Sequence, residues 1–422
     1  MENENLNPKD NAVEKLQKEN KLMKVALIGL TVLLLAAFAV VLFFIVTNGA
    51  KPTGSGETEP PTTASTDYTA SDEQAVAAAG QIVAHVGQKQ LTNAQLQTYY
   101  CMAVYAFLQE EGSYISYYGL DPAKPLGEQV YDATTGQTWE DVFLEQALNT
   151  WNRYVVLEMM GEDAGYTLTQ QSQEALDNLK AEMITMAESM GYATVEEMIA
   201  AEMGASCNLE SYLSYMRTNY YCADYFNELY LTLEPTMEEI EAYYAENEET
   251  FVSAGYGKEV GKSVNVRHIL LVPEGGEAIE GSNYKQYTND AWEACRVAAQ
   301  EVLDTYLASD RKEASFANLA AQHSADGSAS NGGLISNVVE GKTVPAFNDW
   351  IFDESRQYGD YGLVRSEYGY HVMFFVDIEE LWIRTARTMV ISDKATVLID
   401  EVVEANPMEV NMDLIKLSQL SF

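Results

Sequence analysis

The stretch that decides the fold begins with VRHILL at residues 266–271. Further motifs follow it in order: FANLA at 316–320, HSAD at 323–326, NGG at 331–333, VPAF at 344–347, IF at 351–352 and EYGYHV at 367–372. His268 and His371 lie inside apolar runs of the type that forms strands, where an imidazole is an unusual choice for packing alone. These two histidines are therefore the first candidates for a functional site.

The elements around these motifs predict a small mixed domain. Strands are expected at 264–271, 362–365 and 370–377, and helices at 291–307, 316–323 and 345–352. This order resembles the parvulin (PpiC-type) family of peptidyl-prolyl isomerases, and the whole chain resembles membrane-anchored foldases of the PrsA/SurA type. The resemblance implies a parvulin domain at 262–380, built as a four-stranded antiparallel sheet with helices packed on it.

Composition limits the other possibilities. A chain of 422 residues with 47% apolar residues predicts two or three domains. The net charge of −39 argues against nucleic-acid binding, which needs a basic surface. Four cysteines do not make a disulfide framework, although a Cys207–Cys222 bridge stays open.

An apolar segment near the start predicts a membrane anchor. Residues 25–46 carry no charge, and 22 residues at the helical rise span ~33 Å. Lysines are concentrated before this segment, so residues 1–24 are expected in the cytoplasm and the bulk of the chain outside, in a single-pass arrangement at the cell membrane. A cleaved signal peptide is the rival interpretation. Residues 47–76 are rich in Thr, Ser, Gly, Pro and acids and are expected to form a flexible linker.

The region between the linker and the parvulin-like segment is mostly helical. Helical spacing of apolar residues is found at 92–108, 139–160, 169–190, 195–203 and 209–231, and a capping box at Thr236 starts a helix to about residue 249. The resemblance implies that residues 77–258 form a SurA-N-like chaperone domain, completed by 383–422, with the parvulin domain inserted. The expected fold class is thus α+β with one N-terminal transmembrane helix.

The resemblance also assigns a proline pocket. An X–Pro bond rotates over a barrier of about 18–20 kcal/mol, and an enzyme lowers it by binding the twisted amide more tightly than the planar one. Phe347 matches the family's aromatic residue that receives the proline ring. Thr343 stands where the family usually has methionine, and Val344, Leu334 and Phe352 are the further pocket residues.

Four polar residues are the catalytic candidates that the resemblance implies. His268 and His371 match paired histidines that face each other across the sheet. Asp326 matches a Cys or Asp beside the substrate carbonyl, and Ser366 matches a hydroxyl of the same network. Gly332 and Gly333 match a glycine pair, although the acid and third glycine that usually follow are missing.

Several alternatives stay open. The two histidines could be a buried pair that only fixes the fold, Asp326 could only cap a turn, and Phe347 could be core. No spacing indicates a metal site or a hydrolase triad, and no cofactor is implied. The serious alternative is a client-binding chaperone whose parvulin domain is catalytically silent.

The expected partners follow from the resemblance. They are unfolded or partly folded exported polypeptides, held by the Tyr- and Met-rich helices at 93–108 and 209–230, and a homodimer is possible. The first loop of the parvulin-like segment, 273–288, offers only Lys285 as a cation, so phosphate recognition is not expected.

Overall fold

The computed structural model describes residues 68–111, 115, 117–279 and 284–420, which separate into two units. The first unit holds the described residues up to Leu233 and those from Ser392 on, and the second is Glu234–Ile391. In chain order, the first unit begins with β1 (Thr69–Ala70), α1 (Asp72–Ala78), β2 (Ile82–Val86), β3 (Lys89–Thr92), α2 (Asn93–Glu111), β4 (Val130–Asp132), β5 (Gln137–Thr138), α3 (Trp139–Asp163), α4 (Gln170–Met190), α5 (Val195–Met203) and α6 (Leu209–Thr232).

The second unit follows without interruption. It contains α7 (Met237–Ser253), β6 (Lys262–Leu271), β7 (Glu277–Ala278), β8 (Lys285–Gln286), α8 (Asn289–Ala308), α9 (Glu313–His323), β9 (Leu334–Val339), α10 (Pro345–Ile351), β10 (Tyr361–Arg365) and β11 (Tyr370–Glu380). Helix α11 (Leu381–Ala405) begins in the second unit and ends in the first, to which β12 (Glu409–Val410) and β13 (Leu417–Ser418) belong.

The helices of the first unit begin at side-chain caps that the sequence supplies. The Thr138 hydroxyl accepts a hydrogen bond from the Asp141 N–H at the start of α3, and Asn208 does the same for α6. Helices α2, α3 and α6 pack together around a core that includes Trp139, Phe143 and Trp151. Strand β12 adds to the β2–β3 hairpin, and β13 pairs in parallel with β1.

The second unit is built on a four-stranded antiparallel sheet with the order β10-β11-β6-β9. Successive residues of a strand point to opposite faces of a sheet. On one face Ile269, Val372 and Phe374 pack with α8 and α9, and on the other Val264 and Met373 pack with α10. Both faces are therefore covered by helices.

The expected membrane anchor is corrected. Residues 1–24, the apolar segment 25–46 and the linker up to residue 67 lie outside the described residues. None of the helices that the structure describes has the length and apolar character needed to cross a bilayer. The fold class with a single transmembrane helix, and the single-pass location at the cell membrane, are therefore wrong on this finding. The described residues form a mixed fold of helices and sheets.

Two boundaries also differ from the prediction. Residues 68–76 were expected in the flexible linker, yet Tyr68 is buried, β1 pairs with β13, and Ser71 caps α1 with a capping box. Helix α7 was expected in the chaperone domain, but it lies in the second unit, where Ile240, Tyr244 and Phe251 pack with Trp382. The Thr236 capping box that starts α7 is confirmed.

Candidate active site

The two histidines lie on the same face of the sheet. Alternation along β6 puts His268 on the side of Val264 and Val266, and alternation along β11 puts His371 on the side of Met373. His268 is directly opposite Met373, and His371 is opposite Leu270. The two imidazoles are therefore diagonal neighbours across the central strand pair, within reach of each other.

The imidazoles form a direct hydrogen bond. The Nδ1 atoms of His268 and His371 are 3.0 Å apart, with ring centroids separated by 5.3 Å and planes inclined by 22°. Both side chains are buried. Burial lowers the pKa of His268, although Asp326 opposes the shift, and burial followed by the neighbouring His268 lowers the pKa of His371 to about 4. The pair is thus neutral near pH 7, and one Nδ1–H donates to the other Nδ1.

Asp326 lies at the solvent-facing end of this pair. Its Oδ1 is 3.2 Å from the Nε2 atom of His268 and accepts hydrogen bonds from the N–H (2.8 Å) and the hydroxyl (2.6 Å) of Ser328. Burial raises the pKa of Asp326, but the Ser328 hydrogen bonds and then His268 outweigh it, so the pKa is lowered. The carboxylate is therefore ionised near neutral pH.

Ser366 lies at the opposite end of the pair. Its hydroxyl is 2.7 Å from the Nε2 atom of His371, and its oxygen accepts the N–H of Tyr368. An anionic Asp326 requires the Nε2 of His268 to carry its proton. One direction of donation then satisfies every group: Ser366 donates to His371, His371 donates to His268, and His268 donates to Asp326.

Phe347 packs beneath the pair. Its ring lies edge-on, 5.4 Å from His268 and 5.3 Å from His371, and only 3% of its surface is exposed. Val344 and Phe352 pack in the same apolar cluster. The structure thus brings these three pocket candidates together.

The other two pocket candidates are placed differently. Leu334 is half-buried at the start of β9, opposite Arg267, and does not belong to the Phe347 cluster. Thr343 immediately precedes Val344 at the start of α10. Its hydroxyl oxygen is buried and makes no hydrogen bond within the part of the chain that the structure describes.

Exposure separates the roles that these side chains can have. His268, His371 and Ser366 are 2%, 5% and 7% exposed, whereas 34% of the Asp326 side chain is accessible. Among the four catalytic candidates, Asp326 thus has the most accessible side chain. Hydrogen bonds join the other three into a buried chain that ends at its carboxylate.

Two further residues of the site were missed from the sequence. Ser328 bonds both carboxylate and imidazole, with its hydroxyl 3.3 Å from the Nε2 atom of His268. Its signal was the Asp-Gly-Ser order, in which an aspartate commonly accepts the N–H two residues later. Arg267 donates from Nη1 to the carbonyls of Asn331 and Gly332, both at 3.0 Å, and so holds the loop that carries Asp326.

The glycine pair has a steric reason. Gly333 has φ of +72°, and a Cβ atom there would lie 2.2 Å from the carbonyl oxygen of His268. The His268 N–H in turn donates to the Gly333 carbonyl at 2.8 Å. Only glycine allows this close approach between the loop and β6.

Other residues that the sequence analysis noted lie away from this site. His323 is exposed at the end of α9, and Cys207 and Cys222 are buried free thiols. Among the described residues, no group of three or more His, Cys, Asp or Glu side chains is arranged to hold a metal ion. Tyrosines of the helices expected to hold clients, such as Tyr99 and Tyr225, are buried in the first unit's own core.

Comparison with protein families identifies the class of domain that carries this site. Residues 253–378 match the family model described as Rotamase_3, the PPIC-type PPIASE domain. The chain therefore contains a PPIC-type peptidyl-prolyl isomerase domain, although the match covers less than half of its length. The candidate site lies entirely within the matched residues.

Individual proteins with similar structures include a PrsA protein and a peptidyl-prolyl isomerase. PrsA from Bacillus subtilis is 17% identical over 70% of this chain and 98% of its own, with a TM-score of 0.31. The isomerase ESS1 from Candida albicans is 22% identical over 32% of this chain and 74% of its own, with a TM-score of 0.22. A structure described with the SurA-like chaperones PEB4 and Cj1289 of Campylobacter jejuni is 15% identical over 77% of this chain and 94% of its own, with a TM-score of 0.22.

Likeness at these TM-scores assigns neither a function nor a partner to this chain. Comparison with curated proteins finds no match.

Proposed function

We propose that this chain catalyses the cis–trans isomerisation of X–Pro peptide bonds in unfolded polypeptides, as a parvulin-type isomerase. The observation that carries the proposal is the network that runs from Ser366 through His371 and His268 to the accessible Asp326. The network lies within the residues that match the isomerase family model. Exported polypeptides, the client class that the resemblance implies, are the proposed substrates.

The charge of Asp326 supplies a physical reason for catalysis. In a planar amide, resonance places partial negative charge on the carbonyl oxygen, and the twisted amide loses that charge. A carboxylate beside the carbonyl therefore destabilises the planar state more than the twisted one, which lowers the barrier. The neutral histidine pair leaves this negative charge uncompensated, whereas a protonated pair would cancel it.

The half-buried side chains of Val344 and Phe352, backed by the buried Phe347, would hold the proline side of the bond. The apolar cluster of Phe347, Val344 and Phe352 lies on the histidine face of the sheet. The apolar surface would hold the proline ring while the preceding carbonyl turns past Asp326. The substrate would then be restrained on only one side of the rotating bond. Such positioning converts binding energy into rotation.

A protease-coupled assay on a proline-containing peptide tests this proposal. The wild-type chain is expected to accelerate relaxation of the X–Pro bond, and Asp326→Ala is expected to lower kcat/KM about 100-fold, the effect typical of removing one preorganised electrostatic group. Asp349→Ala, which removes an exposed carboxylate from α10, is the matched control and should retain activity. A wild-type rate equal to the uncatalysed one would refute isomerase function.

A second candidate function is a client-binding chaperone with a silent isomerase domain. Thr343 favours it, because its buried hydroxyl, which has no hydrogen-bond partner among the described residues, stands where the family's pocket usually has methionine. Suppression of client aggregation by the full chain, with no isomerase activity, would select this function. If both activities are found, the chain is a foldase with chaperone activity.

A homodimer stays a prediction, which light scattering tests.

A further inference from the structure

The first unit contains an apolar cavity that the isomerase proposal does not use. It lies among α2, α4, α5 and α6 and has a volume of about 70 Å³. Its walls include five methionines: Met102, Met183, Met186, Met198 and Met203. The chain has only 16 methionines in all, so nearly a third of them line this one cavity.

The methionines form a deep base and a more accessible mouth. Met183, Met198 and Met203 are 5%, 5% and 7% exposed, whereas Met102 and Met186 are half-buried. Methionine side chains are unbranched and polarisable, so they adapt to the shape of what they contact. A wall built from them can take aliphatic groups of different branching without a large cost in packing.

The volume limits what the cavity accepts. A cavity of about 150 Å³ engineered into a well-studied protein interior binds benzene. The space of about 70 Å³ is less than half of that, which favours an aliphatic group over an aromatic ring. An aliphatic side chain that enters from the mouth is the better fit.

The charged residues that line the cavity indicate which residues would flank the bound aliphatic side chain in the ligand. The charged residues that line the cavity are Glu182 and Glu202, with no lysine or arginine among its lining residues. Helices α4 and α5 together carry four and three carboxylates, seven in total, against the single Lys180. A ligand with a positive charge beside its apolar group is therefore attracted, and an acidic one is repelled.

We infer that this cavity binds an aliphatic side chain of an unfolded polypeptide in which a lysine or arginine lies within a few residues. The inference rests on the proposed binding of unfolded polypeptides and adds a place and a sequence preference to it. Many tyrosines of α2 and α6 are buried in the core and cannot contact a polypeptide. The proposed contact therefore lies in the cavity that these helices share with α4 and α5.

Methyl NMR of the full-length protein tests the site directly. The probe is an unstructured twelve-residue peptide with one leucine followed by two arginines, added to protein labelled at its methionine methyl groups. Signals of Met183, Met186 and Met198 are expected to shift, while those of Met389 and Met412, exposed and outside the cavity, are expected to stay. Peptides with the leucine changed to alanine, or the arginines to glutamate, should bind at least about tenfold more weakly.

Matched variants test the location. Met186→Trp narrows the mouth and should weaken peptide binding about 10- to 100-fold, as expected for losing one buried aliphatic side chain. Ile184→Trp, at a 40% exposed residue of the same helix outside the cavity, should leave binding unchanged. Isomerase activity should be unchanged in both variants, which separates this test from that of the second unit.

The alternative outcomes are distinguishable. Unchanged binding in Met186→Trp without methyl shifts would overturn the cavity assignment, while the chaperone proposal would survive. No peptide binding by the wild-type chain would remove both. Equal binding of hexanol and the peptide would assign the cavity to a small apolar ligand. Self-association that Met186→Trp abolishes would assign the cavity to a second copy of the chain. Either result would overturn the inference.

Discussion

Acidification should destabilise the second unit through the buried histidine pair. Burial, and then the neighbouring His268, lower the pKa of His371 from its ordinary value to about 4. The unfolded chain therefore binds a proton between about pH 6.5 and pH 4 that the folded chain does not. The stabilisation is complete above pH 6.5 and is lost as the pH falls toward 4.

The size of the loss follows from the two pKa values. Their difference of roughly 2.5 corresponds to about 3.4 kcal/mol, or about a 300-fold change in the opening equilibrium of the sheet, of which about 100-fold is reached at pH 4 itself. His268 contributes in the same direction, because its pKa is lowered as well. Titration of carboxylates elsewhere in this acidic chain also changes the stability. The contribution of the pair is therefore measured as the difference between the wild-type chain and a variant without His371.

Amide hydrogen exchange measures this quantity for the second unit alone. Protection factors of buried β6 amides, such as those of Val266 and Ile269, are compared at pH 7 and pH 4 in the wild-type chain and in His371→Gln. The wild-type factors should fall about 100-fold more than those of the variant. Equal falls in both chains would refute the neutral, buried pair and the hydrogen-bond order derived from it.

Three substitutions test the surroundings of the pair. Ser366→Ala removes the donor to its buried imidazole partner and should lower the unfolding free energy by about 1–3 kcal/mol in urea, whereas Ser366→Thr keeps the hydroxyl and should lose less. Gly333→Ala places a methyl group 2.2 Å from the His268 carbonyl oxygen and should lower the Tm far more than Gly341→Ala, which shares the positive φ but has nothing within 4 Å. Thr343→Val removes a buried hydroxyl that has no hydrogen-bond partner in the described part of the chain and should raise the unfolding free energy by about 1 kcal/mol; a decrease would show that the hydroxyl is bonded.

Local pattern was sufficient to predict most helices. Helix α5 has the bounds 195–203 that its apolar spacing predicts, because a period of 3.6 can be read from neighbouring residues; the structure adds that Thr194 caps it. The approach of His268 to His371 followed only from the resemblance. Strand alternation gives each histidine a face, but the register between β6 and β11 depends on pairing over about a hundred residues.

What could not be predicted depends on contacts between distant residues. Residues 68–76 have a linker composition, and the partner that orders Tyr68 and β1 lies near residue 417. Helix α7 has an ordinary amphipathic pattern, and nothing in it specifies that Trp382 will cover its apolar face. The burial of Ser366, which leaves Asp326 as the accessible end of the network, is likewise a property of the assembled sheet.

The pairing of β12 and β13 with β2 and β1 has a consequence for synthesis on the ribosome. Asn93 and Gln97 of α2 bond to the backbone of residues 414–418, and Ile415 and Leu417 fill the core beside them. The first unit therefore lacks part of its interior until the whole second unit, Glu234–Ile391, and then residues 392–418 have been translated. The helices of the first unit therefore remain incompletely packed after they leave the ribosome, whereas the sheet of the second unit, which is translated later, can already form. The first unit is translated first but completes its fold last.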